Sequence, residues 1–252
     1  MPGTGLVVAI VVQDDEAVLC GGAANKQIGG SGVRRHARSP GIQCTHGKLT
    51  GASFVSMQAV LDALPQTFTT KVARGLGVHP RDLYAWRDGG EIVELSRGVF
   101  RRGDAPPASY PDALAVAYRA PRAIVCCLSA AAVHELTDEL VGSLQIAVSK
   151  GGHVPRIDYP PTAVFRFDQE AFELGLSVFE AAPGELVRVY DAARTVVDLM
   201  RLRHRFGEPV AHSALHRFVA TPGVRPALLL DYAQVLGVFG PVRAALDVAS
   251  AR

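Results

Sequence analysis

The stretch TTKVARGLGVHPRDLYAWRDGG, Thr69 to Gly90, constrains the fold more than any other part of this chain. Counted from Thr69 as the first place, Val72, Leu76, Val78, Leu83 and Trp86 fall at the fourth, eighth, tenth, fifteenth and eighteenth places. Ala73 holds the fifth place and Gly77 the ninth. Two helices joined by a tight turn must cross closely, which demands a small residue at the fifth place. The turn demands a residue that tolerates positive φ, which glycine does without steric cost. The apolar places are expected to face a small core behind the pair. Pro80 follows the turn and suits the first turn of a second helix, where a missing N–H leaves nothing unpaired. The plainer alternative is an ordinary helical hairpin with the same glycine turn.

The flanks extend the pattern. The segment GGEIVELSRGVFRR, Gly89 to Arg102, reads as two short strands. Ile92, Val93 and Leu95 fill the first, Ser96-Arg97-Gly98 forms the turn, and Val99-Phe100-Arg101 begins the return. Upstream, SFVSMQAVLDALP reads as a helix with Val55, Val60, Leu61 and Leu64 on one face and Pro65 at its end. Helix, helix, turn, helix and hairpin, in that order, make a winged helix-turn-helix, expected over residues 53–102.

Charge points the same way. Lys71, Arg74, Arg81 and Arg87 stand against Asp82 alone between Thr69 and Arg87, and the hairpin adds Arg97, Arg101 and Arg102 against Glu91 and Glu94. From Gly103 onward there are 14 basic and 16 acidic residues, a net of −2, while the whole chain carries +2. Positive charge is therefore concentrated toward the front, where it suits contact with phosphate. In such an arrangement the start of the second helix meets base edges and the rest holds the backbone. The expected contacts with double-stranded operator DNA are His79, Arg81 and Tyr84 on the second helix, with Thr69, Thr70, Lys71, Arg97 and Arg101 on phosphates. Arg81 is the strongest candidate for a base contact, because a guanidinium can pair with guanine O6 and N7 together.

Length and composition set the outer bounds. A chain of 252 residues with 48% hydrophobic content can bury two modest cores. No apolar run approaches the ~20 residues of a membrane helix. The apolar run Leu6 to Val12 lacks a basic segment ahead of it and a clear cleavage site, so a signal peptide is not expected. Cys126 and Cys127 are adjacent within AIVCCLSAAAV, an apolar context, and Cys20 and Cys44 stand apart. Buried free thiols and a reducing, cytoplasmic setting follow, and no CxxC spacing exists to hold zinc. Residues 1–52 mix a short apolar stretch with glycine-rich and basic pieces; they read as a disordered extension or as a start codon set too far upstream.

Residues 102–111, RGDAPPASYP, read as a linker. A second domain is expected over 111–252. DALAVAYRAP is a helix stopped by Pro121, and AIVCCLSAAAVHEL is a strand and then a helix capped by Ser129. SLQIAVSKGG, TAVFRFD and ELVRVYD are strands, and QEAFELGLSVFEAA reads as a strand followed by a turn. Four helices close the chain: DAARTVVDLMRLRHRF, capped by Asp191, then EPVAHSALHRFVA entered at Glu208, RPALLLDYAQVLG and GPVRAALDVASA. The expected fold class is α/β (α+β): a winged helix-turn-helix, then a mixed α/β domain ending in a helical bundle.

This order resembles the AbiEi-type antitoxins of bacterial type IV toxin–antitoxin pairs, over roughly Phe54 to Ala251. The resemblance rests on ELSRGVFRR, LSAAAVHEL, LQIAVSKGG and VRVYDAARTVVDLMR. Val189, Asp191, Arg194, Thr195 and Asp198 fall where that family places a strand end, a cap and an Arg–Asp pair. The front extension departs from the family pattern. The resemblance implies a DNA-binding repressor that regulates its own operon, and an antitoxin that counteracts a nucleotidyltransferase-like toxin. No enzyme activity, cofactor or membrane partner is expected. The alternative is a ligand-responsive winged-helix regulator without a toxin.

Catalytic and metal readings are weaker. A restriction-type nuclease needs a carboxylate followed by Glu-x-Lys to hold its metal. Lys150, the second domain's lysine, follows Ala147-Val148-Ser149 instead. Gly142-Ser143 lacks the paired Asp-x-Asp that a nucleotidyltransferase uses. His212 and His216 share a helix face but have no third ligand nearby in sequence. His134 reads as a helix residue bonded to a carbonyl or carboxylate. Arg194 and Asp198, also four apart, read first as an ion pair that orients their helix against the sheet.

Overall fold

Three short helices and a small sheet begin the architecture. The computed structural model describes residues 57–250. The expectations for residues 1–52, and those for Val55, Cys20 and Cys44, lie outside the described residues. The first elements are α1 (Met57–Ala63), β1 (Thr67–Thr69), α2 (Thr70–Gly75), α3 (Pro80–Gly89), β2 (Ile92–Ser96) and β3 (Val99–Arg102). The strands form an antiparallel sheet in the order β1-β3-β2. Leu61, Leu64, Phe68, Ala73, Val78, Leu83, Trp86, Ile92 and Phe100 make one buried cluster between helices and sheet. Phe68 and Phe100 stack across β1 and β3 with ring centroids 5.9 Å apart.

Two sequence expectations fail here for a geometric reason. Val72 and Leu76 were expected inward, yet they are 41% and 48% exposed. Helix α2 spans only six residues, so a single stripe can face the core, and Ala73 occupies it. Strand β1 was not expected at all. Three residues are too few to show alternation, and Thr69 both ends the strand and caps α2, its hydroxyl accepting from Val72 N. The turn itself follows expectation: Gly77 adopts φ +83° between α2 and α3.

The rest is a five-stranded mixed sheet with helices. Its elements are α4 (Pro111–Arg119), β4 (Ile124–Val125), α5 (Cys127–Val133), β5 (Leu144–Ser149), β6 (Thr162–Phe167), β7 (Leu176–Ala182), β8 (Glu185–Tyr190), α6 (Ala192–Arg201), α7 (Arg203–Phe206), α8 (Glu208–Ala220), α9 (Pro226–Val235) and α10 (Phe239–Ser250). The strand order is β6-β5-β4-β8-β7, with β5/β6 and β4/β8 parallel and the other pairs antiparallel. The class is thus mixed α/β (α+β). Ala113 and Leu114 of α4 pack with Val125, Ala181, Val187 and Val189. A larger core joins Ile124, Ala147, Phe165, Phe167 and Tyr190 of the sheet to α6, α8, α9 and α10. Parallel strands need a returning connection. Between β5 and β6 that return is a helix-free loop, residues 150–161.

Three elements differ from expectation. DAARTVVDLMRLRHRF, read as one helix, breaks at Leu202 into α6 and α7. Helix α5 starts at Cys127, so Ser129 lies inside it rather than capping it. The capping acceptor comes from β5 instead: Gln145 Oε1 accepts from Leu128 N at 2.8 Å, while Ser129 Oγ accepts from Gln145 N at 2.8 Å. In QEAFELGLSVFEAA the order is reversed, a 3-10 turn at Gln169–Ala171 preceding strand β7. Gly175, at φ +72°, makes the bend, and a Cβ there would come within 2.6 Å of Arg194 Cβ. The chain turns at that point because it must pass over Arg194.

Asp191 caps α6 as expected, accepting from Arg194 N at 2.7 Å. Arg194 and Asp198 pair at 2.9 Å with both side chains wholly buried. Arg194 Nη1 also donates to Ala171 O and Leu174 O, each at 2.8 Å, and its guanidinium lies over Tyr190 at 4.4 Å. Arg201 Nη2 stands 2.9 Å from Asp198 Oδ1, close enough for attraction but poorly angled for a hydrogen bond. Burial raises the Asp198 carboxyl above its usual range, with both arginines opposing.

Candidate nucleic-acid interface

The predicted contact residues divide into a surface set and a buried exception. Helix α3 begins at Pro80 and presents Arg81 with its side chain 88% exposed. Tyr84, one turn on, is 51% exposed, and the Arg87 guanidinium sits over its ring at 5.0 Å. Leu83 and Trp86 take the opposite, buried side. The 3.6-residue period separates the two faces, so the sequence alone could assign them. His79 is the N-cap of α3, and its Nδ1 accepts from Arg81 N at 3.1 Å. The residue is exposed, with Nδ1 engaged by its own helix start.

Thr69, Thr70 and Lys71 form the start of α2. The Thr70 hydroxyl donates to Gly98 O at 3.4 Å, and Thr70 N donates to the same carbonyl at 3.0 Å. The helix start and the β2–β3 turn are therefore one continuous surface. Arg97 at that turn is exposed, and a shallow depression beside it is lined by Thr70, Lys71, Arg74 and Gly75. Thr69, Thr70 and Lys71 thus lie next to the turn that carries Arg97.

Arg101 does not join them. Its residue is 6% exposed and its guanidinium pairs with Glu185 of β8. It also donates to Thr67 Oγ1 at 2.6 Å and Pro106 O at 2.6 Å. Residues alternate sides along β3, and the side that carries Arg101 faces β8 and α4 rather than solvent. The neighbouring cations are partly neutralised too. Arg87 pairs with Asp88 and Glu94, and Arg102 with Asp104 and Asp62. Hydrogen bonds donated to Asp88 and Glu94 hold the Arg87 pKa above its ordinary value, and those donated to Asp104 do the same for Arg102. The positive charge counted in the sequence is thus thinner at the surface, and Arg81 Nε too stands 4.0 Å from Asp82 Oδ1.

The sequence missed what stands beside the turn. Ser96 Oγ donates to Tyr159 O at 2.6 Å. Arg119, at the end of α4, donates through Nη1 to Arg97 O at 3.0 Å and through Nη2 to Arg156 O at 2.9 Å. These contacts join segments 22 to 63 residues apart, which no local pattern could announce.

Among the described residues no group of three or more His, Cys, Asp or Glu side chains is placed to hold a metal ion. No helix among them is long and apolar enough to cross a membrane. Cys126 and Cys127 are buried free thiols, and burial pushes the Cys126 thiol well up. His134 Nε2 is bonded to Tyr190 O at 2.7 Å.

The sequence matches no family model and no curated protein. The fold is similar to the crystal structure of the RV2827C protein from Mycobacterium tuberculosis. The TM-score is 0.56 at 15% identity, over 76% of this chain and 75% of that one. At that identity the likeness is one of fold alone.

Proposed function

We propose that residues 57–102 are a winged helix-turn-helix that reads duplex DNA, and that the chain is a transcriptional repressor. The observation that carries this reading is one surface. Arg81 and Tyr84 stand out from α3, and the α2 start is bonded to the hairpin turn that bears Arg97. Base edges would meet α3, and phosphates would meet Thr69, Thr70, Lys71 and Arg97. The resemblance to AbiEi-type antitoxins supports a second role, counteracting a nucleotidyltransferase-like toxin made from the same operon. Rescue of growth on co-expression with such a neighbour tests that role.

A ligand-responsive regulator is the second reading. A cavity of about 230 Å³ is lined by Phe167, Ala171, Val235 and Leu236 together with Arg194, Arg201, Asp168 and Glu170, and Arg194 Nη2 and Arg201 Nε lack hydrogen-bond partners.

The DNA reading is tested by titrating the full chain on a duplex of its own promoter region and on a scrambled duplex. Arg81→Ala should cost about 1–3 kcal/mol on the promoter and relax sequence choice at one position. Parent-like binding of this variant to both duplexes would remove α3 as the reading element.

A further inference from the structure

We propose that the DNA-contacting surface does not end at the hairpin but continues onto the loop of residues 150–161, with Arg156 as a further phosphate-binding residue; this rests on the DNA reading above. The loop is the return between parallel β5 and β6, and it runs beside the β2–β3 turn. Two separate bonds hold it there. Ser96 Oγ takes the Tyr159 carbonyl at 2.6 Å, and one guanidinium, that of Arg119, spans the carbonyls of Arg97 and Arg156 at 3.0 and 2.9 Å. The backbones of Arg97 and Arg156 are consequently joined through one guanidinium, and both residues are exposed.

Charge gives the pairing its direction. Neither Arg97 nor Arg156 has a carboxylate partner among the described residues, although most other arginines of this region do. Arg119 adds a third positive charge, with both Nη groups committed to carbonyls. Asp158 is exposed on the same loop, Glu94 Oε1 accepts from Gly98 N at the turn while its other oxygen pairs with Arg87, and Lys150 at the loop's start is matched by Asp168 at 2.5 Å. The cluster therefore keeps a positive excess. Like charges clamped together repel, and a polyanion relieves that repulsion by giving each guanidinium its own phosphate. The cluster is continuous with the α2 start through Gly98, which accepts from Thr70. Thr70, Arg97 and Arg156 then follow one strand of phosphates outward from α3. Arg119 is a positioning residue in this arrangement, and Arg156 a direct contact.

The experiment is a salt titration of the full chain on the promoter duplex and on a scrambled duplex. It compares the parent with Arg156→Gln, Arg156→Lys, Arg81→Ala and, as a control for losing any one charge, Arg225→Gln at the start of α9. Arg156→Gln should lower the slope of log affinity against log salt by about one unit on both duplexes, without changing preference between them. Arg156→Lys should restore most of the slope, because a phosphate accepts either cation. Arg225→Gln should leave it unchanged. The Arg156 carbonyl, not its side chain, meets Arg119, so the variants should unfold at the parent's temperature. A slope for Arg156→Gln equal to that of Arg225→Gln overturns the extension, while loss of sequence preference in Arg81→Ala keeps the reading of α3. A parent without salt-dependent binding to either duplex overturns both.

Discussion

Arg194–Asp198 and Arg101–Glu185 are both buried ion pairs, and they do different work. Arg194 and Asp198 are one helical turn apart on α6, both wholly buried, and their partners come from the turn before β7 and from the same helix. Arg101 and Glu185 are 84 residues apart and lie where the β1-β3-β2 sheet meets β8 and α4. The first pair fixes one helix against its own sheet. The second pins one sheet to another part of the chain. A charge left alone by mutation is costly in either place, but its removal should be felt through different transitions.

The largest effect is expected at Arg194. Arg194→Leu leaves the Asp198 carboxylate fully buried with only the poorly angled Arg201 nearby, and should destabilise by about 3–5 kcal/mol. Removing both charges, Arg194→Leu with Asp198→Leu, should recover much of that loss, since an apolar pair of similar volume is often neutral. Urea unfolding followed by circular dichroism reads both. A double variant no better than the single one would show that the carbonyls of Ala171 and Leu174, rather than the ion pair, set the cost.

A smaller loss is expected at the junction. Glu185→Ala should cost about 2–3 kcal/mol, near or below the range for breaking a buried pair, because Arg101 keeps Thr67 and Pro106 O as acceptors. Hydrogen exchange distinguishes the two sites. Amides of β1 and β3 should lose protection in Glu185→Ala while those of α6 keep it, and the reverse should hold for Arg194→Leu. Equal loss throughout both variants would mean that the two regions unfold as one and that the comparison has no content.

The contrast also marks what a sequence can reveal. Arg194 and Asp198 announce themselves, because four-residue spacing on a capped helix places them together whatever the fold. Gly77, Leu83 and Trp86 are legible for the same reason: local geometry decides their places. The Arg101 position is not local. In VFRR two adjacent arginines look alike, and only the sheet on the far side decides that Arg101 turns inward while Arg102 reaches Asp104. The same holds for the predicted contact surface. Arg81, Tyr84 and the α2 start follow from helix period, whereas Arg119 and Arg156 reach the hairpin only through the return of a parallel strand. Val72 and Leu76 show the opposite error. A helix of six residues has too few turns for the stripe that the motif spacing implied.

The subtlest expected effect sits on the same junction, at Tyr118 of α4. Its hydroxyl donates to Thr67 O at 3.0 Å, with Glu185 Oε1 at 3.3 Å. Burial first, and then the Glu185 charge, push its pKa up to about 12 from an ordinary 10.0. The folded protein therefore holds this proton more tightly than the unfolded chain does. The resulting stability is complete below pH 10 and is lost as pH rises from about 10 toward 12. Tyr118→Phe should cost about 1 kcal/mol at neutral pH, the worth of an ordinary hydrogen bond. It should also flatten the alkaline decline relative to the parent, since phenylalanine has no proton to lose. Unfolding midpoints of parent and variant, compared at neutral pH and again above pH 10, measure both parts. If the parent–variant difference stays constant across that window, the Tyr118 hydroxyl is a solvated group, and the junction is held by Arg101 and Glu185 without it.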